Sequence, residues 1–233
     1  MTNKKLTLEQ RRLDTDLWII AIATFIIFGV LMNFNNQLMS VIRDRNASIY
    51  LRLFLSAAFQ FGIAGLGITI VCILRRERFS TYGLKIKNII PTILLSMLCF
   101  IPNFLFMLLT GQIKSYAPLS IMVTEDILAG GPFLTVFGML VIAIVWGFFE
   151  GFNYVVISDK INKRYPTKSK WFDLGALICA LVCILFHSIN FSLLGLLEIA
   201  TTFVLIYGML LIKKHTNNAW GCIFIFLFIW NAF

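Results

Sequence analysis

The sequence predicts an all-α fold, a polytopic transmembrane helical bundle, and three observations carry that prediction. Of the 233 residues, 59% are hydrophobic and only 13% are charged, with a mean hydropathy of +0.88. A soluble domain of this size needs far more polar surface. Apolar runs of ~20 residues, the length that crosses a bilayer, recur along the chain. The basic residues collect in alternate connecting segments, as the positive-inside rule requires. The even alternation of a membrane barrel is absent.

Seven spans are expected, at about residues 17–33, 50–74, 89–110, 133–158, 171–191, 192–212 and 217–233, in a single membrane domain over 1–233. With a cytoplasmic N-terminus, all but four of the 20 Lys and Arg residues fall on the cytoplasmic side. The exceptions are Arg43, Arg45, Arg52 and Lys114. The net charge of +9 is therefore assigned to orientation and to contact with anionic membrane lipid, and not to nucleic acid.

The segment before span one, MTNKKLTLEQRRLDTD, reads as a cytoplasmic lead. It is too long and acidic for a secretory signal, and no small-residue cleavage site follows. Span one is expected to end at Asn33, with Asn35 and Asn36 opening an outer loop. Span two carries Gly62, Gly65 and Gly67, small residues that allow close helix packing. Arg75–Lys87 is a basic inner loop. Span three holds Pro91 and Pro102, tolerable where neighbours satisfy the backbone. Gly111–Pro132 is a polar outer loop with Glu125 and Asp126. Span four, Phe133–Ser158, leads to a second basic inner loop, Asp159–Lys170. Spans five and six join through a tight turn near Asn190–Ser192. Span seven is just long enough to cross. The five cysteines all lie in spans without a CxxC pair, so neither a disulfide framework nor a cysteine metal site is expected.

Polar side chains within the spans are the candidate functional residues. Glu150 is the one formal charge in span four, and a carboxylate at membrane depth is costly unless protonated, paired or facing water. Asn153 shares its helix face, and Gly147 on that face is expected to leave room beside the carboxylate. Such a carboxyl suits proton transfer near neutral pH; the alternative is an interhelical hydrogen bond. His187 relays a proton or is an interfacial histidine. Cys179, Cys183 and His187, four apart, line one face. They read best as small residues at a helix contact, with a thiol–imidazole or metal reading as the alternative. Glu198 is either a site member or a polar contact satisfied by Thr201 and Thr202. His187, Asn231 and Glu198 lie ~20–25 Å from the cytoplasmic ends of their helices. Glu150 joins that layer at ~20 Å if its helix continues to about Lys163, and lies at ~12 Å if it stops at Ser158.

The order of these pieces resembles the CAAX-protease and bacteriocin-processing (CPBP) family of intramembrane proteases over roughly residues 70–233. FSTYGLKIKN looks like that family's basic inner loop with its Gly-Leu pair. WGFFEGFNYVV at 146–156 falls at its Glu-Glu-x-x-x-Arg motif, CILFHSIN at 183–190 at Phe-x-x-x-His, and NAWGCIFIFLFIWNAF at 218–233 at the helix with His-x-x-x-Asn. The motifs are degenerate. Glu150 stands alone, with Gly151 and Val155 or Phe149 and Tyr154 in place of the other motif residues. Cys183 replaces the Phe, and Leu227 replaces the third-motif His. The resemblance implies an integral protein of a bacterial plasma membrane and a glutamate-activated water attacking a peptide bond. Glu150 would be the base, His187 a helper and Asn231 an oxyanion donor, with Asn153, Tyr154 and Glu198 in support. It implies a peptide or membrane-protein substrate and no cofactor.

Two readings follow: an intramembrane endopeptidase with a reduced site, and a catalytically silent relative that binds a partner, as an immunity or chaperone-like factor. A proton-coupled transporter using Glu150 and Glu198 is weaker, since no inverted repeat is visible. No metal is expected, because the second histidine, His215, lies far in depth from His187 and a site wants three or four ligands.

Overall fold

The computed structural model describes residues 6–186, 191–230 and 232–233, and among these every regular element is helical. Five helices are long and apolar enough to cross a membrane: α1 (Leu8–Arg43), α2 (Ile49–Arg75), α3 (Ile89–Leu109), α5 (Pro132–Arg164) and α7 (Leu193–Thr216). Three are shorter: α4 (Thr124–Ala129), α6 (Leu174–Phe186) and α8 (Trp220–Phe228). Five of the seven expected spans are thus long helices. Of the other two, the described part of α6 has 13 residues and α8 has 9, short of ~30 Å of hydrocarbon.

The first helix departs most from expectation. It starts at Leu8, where Thr7 forms a capping box with Gln10, and runs unbroken past Asn33 to Arg43. Nothing between Asn33 and Gln37 breaks it: Asn33 donates to the Gly29 carbonyl one turn back at 2.7 Å. At 36 residues it is ~54 Å long, so it overshoots or tilts.

Two spans contain a π-helical turn: Gly62–Leu66 within α2 and Ala143–Phe149 within α5. Such turns leave backbone groups without their usual partner. The Ile63 carbonyl in the first accepts from Thr24 Oγ1 on α1 at 3.0 Å. The two π turns pack together, and Phe61 meets Phe149 edge-on between them at 4.9 Å.

The main core lies among α5, α6, α7 and α8, with Phe152, Ala180, Leu205, Met209, Cys222 and Phe226 nearly inaccessible. α3 packs along α7, where Asn103 donates to Thr201 at 3.2 Å. The basic loop after α2 turns at Gly83 with φ +102°. A Cβ there would also lie 3.1 Å from the Ala219 nitrogen, which donates to the Gly83 carbonyl at 2.8 Å. Asn218, fully buried, donates to the Lys85 and Lys87 carbonyls at 2.7 and 2.8 Å. This clamp fixes where α8 begins.

At the opposite end, the expected outer loop contains the short helix α4. Asp126 on α4 pairs with the buried Arg52 at 2.8 Å, and Arg52 Nε donates to the Ile42 carbonyl at 2.7 Å. Arg52 is therefore an internal tie between the α1–α2 turn and the loop.

Candidate functional site

Glu150 is the first α-helical residue after the π turn of α5, and Gln60 lies just before the π turn of α2. Gln60 Nε2 donates to Glu150 Oε2 at 2.8 Å. Both side chains sit at matched depth. Gln60 lies ~22 Å from the basic end of α2 and Glu150 ~21 Å from that of α5, because α5 continues to Arg164 and takes the longer of the two expected courses. Glu150 retains accessible surface, and the Gln60 contact leaves Oε1 free of it. π turns recur at functional sites; here two bracket one amide–carboxylate pair.

One helical turn on, Tyr154 stacks on Phe226 of α8 at 5.5 Å and neighbours the Cys183 thiol of α6. Cys179 donates weakly to the Tyr154 carbonyl at 3.6 Å. Both cysteines are buried at the α5–α6 contact, as the small-residue reading expects. Asn153 is half-buried on the same helix.

Gly147 does not leave a space beside Glu150. Leu227 of α8 fills it: a Cβ on Gly147 would lie 2.7 Å from Leu227 Cγ and 3.3 Å from its Cα. Gly151, one turn later, faces the Cys222 carbonyl and Ile223 Cα, each 3.0 Å from an added Cβ. The two glycines form a groove on α5 that seats α8, as small-xxx-small patterns do.

Glu198 is exposed, near the start of α7. The Thr201 hydroxyl donates to the Glu198 backbone carbonyl at 3.0 Å. Among the described residues the side chain that meets Glu150 is Gln60, and not Glu198. His187 and Asn231 lie outside the described residues, as does Asn190 of the expected Asn190–Ser192 turn, while Ser192 caps α7.

A second polar cluster at the basic end was not anticipated. Asp16 on α1 is buried between Arg75, at 2.7 Å, and Lys160 on α5, at 2.9 Å. Lys160 also reaches Glu77 at 3.0 Å. Glu77 in turn pairs with Arg12 at 3.1 Å and accepts from the Tyr82 hydroxyl. Arg164 holds Asp14 at 2.6 Å. Asp16 is thus a buried residue of α1, continuous with the first span. Lys160, like Lys213 against Asp159, is an internal ion-pair partner.

Burial pushes the Glu77 carboxyl up, but donation from Tyr82 and Lys160 and the charges of Lys160 and Arg12 outweigh it, so its pKa lies below the ordinary value. Burial, then the bond to Glu77, push the Tyr82 phenol up. Stability from Glu77 is fully present above about pH 4.5, its ordinary value, and is lost as the pH falls through the native value. The thermal midpoint of purified protein should drop on acidification below that point, and drop less in Glu77→Gln. Equal profiles for both would contradict this account.

Sequence reasoning missed Gln60 and the Asp16–Lys160 pair. Gln60 had a usable signal: it is the one amide in span two, at the depth of Glu150. Asp16 had none, since its partners lie 59 and 144 positions away.

No family model, curated protein or solved structure matches this chain. The fold and the side-chain geometry therefore carry the functional reading.

Proposed function

We propose that the chain is a CPBP-like protein of the bacterial plasma membrane, N-terminus cytoplasmic, whose Glu150 carboxylate activates water for peptide-bond hydrolysis at membrane depth. The observation that supports this is the Gln60–Glu150 pair between two π turns, with one carboxylate oxygen held and accessible surface beside it. Oε1 takes a proton from water as the water oxygen bonds to the scissile carbonyl carbon. That proton then passes to the leaving amide nitrogen as the C–N bond breaks. In this reading His187 assists the transfer and Asn231 stabilises the oxyanion, which is worth ~10²–10³ in rate for one donor. Asn153 and Tyr154 contact the peptide. The supporting role first given to Glu198 passes to Gln60, a neutral partner that leaves Glu150 as the one charge.

Leu227 in the Gly147 groove favours a second reading. It occupies the position of the third-motif His and cannot donate to an oxyanion, which suits a silent relative that binds a membrane peptide.

The test is Glu150→Gln, which keeps the size of the side chain. Cleavage of a membrane-inserted reporter peptide by the reconstituted protein should fall ~10²–10⁴-fold, with helicity and elution volume unchanged. Full activity in this variant rejects the hydrolase reading. A native protein that cleaves nothing, yet co-purifies with one membrane partner in both native and His187→Gln forms, favours the silent one.

A further inference from the structure

At the basic end, α5 and α7 line a pocket of about 220 Å³ with Asp159, Asn162, Lys163, Leu210, Lys213, Lys214 and Asn217. It lies apart from Glu150, which is at least two helical turns deeper on α5. Three ammonium groups converge on it and one carboxylate lines it. Asp159 is already shared by two of them, Lys213 and Lys163, the latter at 3.4 Å. Lys214 is held by Asp173 at 3.4 Å from behind the wall. Counting Asp173, the cluster keeps a net positive charge, and Lys168 and Lys170 stand in the adjoining loop. Lys163 is the exposed arm: its side chain is 56% exposed although it reaches Asp159, and its ammonium sits 5.6 Å from the Tyr82 ring centroid.

The floor and the rim differ in chemistry. Leu210 supplies an apolar floor, while Asn162, Asn217 and the lysines supply donors. An anion with three or more acceptor oxygens satisfies several ammonium groups at once, and Lys is a point-charge binder of phosphate. Both helix C-termini at this end are already met by their own basic residues, Lys163 and Arg164 on α5 and Lys213, Lys214 and His215 on α7. Their carbonyl ends therefore do not repel an incoming anion unopposed.

We infer that the α5–α7 pocket binds a phosphate group, carried by an anionic lipid headgroup or by a soluble phosphate, with Lys163 closing over it. The full-length protein in phosphatidylcholine nanodiscs doped with phosphatidylglycerol tests this, read as phosphatidylglycerol retained per protein after detergent exchange. Lys163→Gln should lower retention about fivefold, as expected for one lysine at an anionic surface. Lys163→Gln/Lys214→Gln should lower it further. Lys168→Gln/Lys170→Gln, which removes the same charge from outside the pocket, should leave it unchanged. Inorganic phosphate alone is the second arm. If it raises the thermal midpoint of native protein but not of Lys163→Gln, with no lipid retained, the source is a soluble phosphate. An equal fall in the loop control means a diffuse surface field and overturns the proposal. So does native behaviour of Lys163→Gln in both arms; that side chain is exposed enough that its loss leaves the fold intact.

Discussion

Lys160→Met is expected to destabilise the bundle by about 3 kcal/mol, the lower end for removing one partner of a buried ion pair. The ammonium and the Asp16 carboxylate are both almost wholly inaccessible, with side-chain exposures of 2% and 1%. Methionine fills nearly the same volume, so little of the effect comes from packing. What remains, among the described residues, is a buried carboxylate with Arg75 as its partner, and Glu77 with Tyr82 and Arg12. The loss stays near the lower end because those partners survive. The measurement is a denaturant titration of native and variant protein in mixed micelles. Asp16→Asn/Lys160→Met should be less destabilised than the two single changes added together, since it removes both ends of the pair. Strict additivity would mean that the pair contributes no coupling. α1 has only 6% of its most apolar window buried inside the protein, so this cluster is a principal internal tie on its N-terminal half. Protease sensitivity near Leu8–Asp16 should rise in Lys160→Met before the rest of the bundle opens.

That cluster also shows where sequence legibility ends. Glu150 was visible because a carboxylate in an apolar run has few explanations. Its helix course to Arg164 was an open alternative that nothing before Pro166 forbade. Depth arithmetic along two helices brings Gln60 to the same layer, so the contact was within reach. Asp16, Glu77 and Lys160 were invisible for the opposite reason. In a linear reading each is a charge at a membrane boundary, where charges are ordinary. Their burial depends on three segments meeting, which no local pattern encodes. The described parts of α6 and α8 are shorter than the spans expected there, because hydropathy counts apolar residues without asking whether they face lipid or protein. Cys222, Ile223 and Ile225 on α8 are fully buried by protein, so an apolar run there measures core and not membrane thickness. The extent of α1 failed because Asn and Gln near a bilayer boundary suggest a loop, although a helix that overshoots the hydrocarbon can carry them into water.

Gly175→Ala should cost about 3 kcal/mol, at the upper end for overpacking, and should disable whatever Glu150 does. Gly175 is in the first turn of α6, pressed on the backbone of α5. An added Cβ would lie 2.7 Å from Ser158 Cα, and a main-chain atom cannot rotate away as a side-chain tip can. The Gly175 amide also donates to Asn162 Oδ1 at 2.9 Å. Asn162 Nδ2 in turn donates to Asp173 at 2.8 Å, and Asp173 accepts from the Ala176 amide at 2.7 Å. Relief of the clash therefore requires α6 to lift from α5, against the bonds from Asn162 that hold its N-terminus down. α6 carries Cys179 and Cys183 against Tyr154, so the lift propagates along the helix toward the Glu150 layer. Thiol accessibility reads this directly. Cys179 and Cys183 are each 2% exposed in the native protein and should react with a maleimide much faster in Gly175→Ala. Cys222, buried against the Met209 carbonyl at 3.5 Å on the α7–α8 side, should stay protected. Uniform labelling of all three would signal global unfolding. Native protection of Cys179 and Cys183 would show that α5 and α6 can absorb a methyl group at this contact, contrary to the geometry.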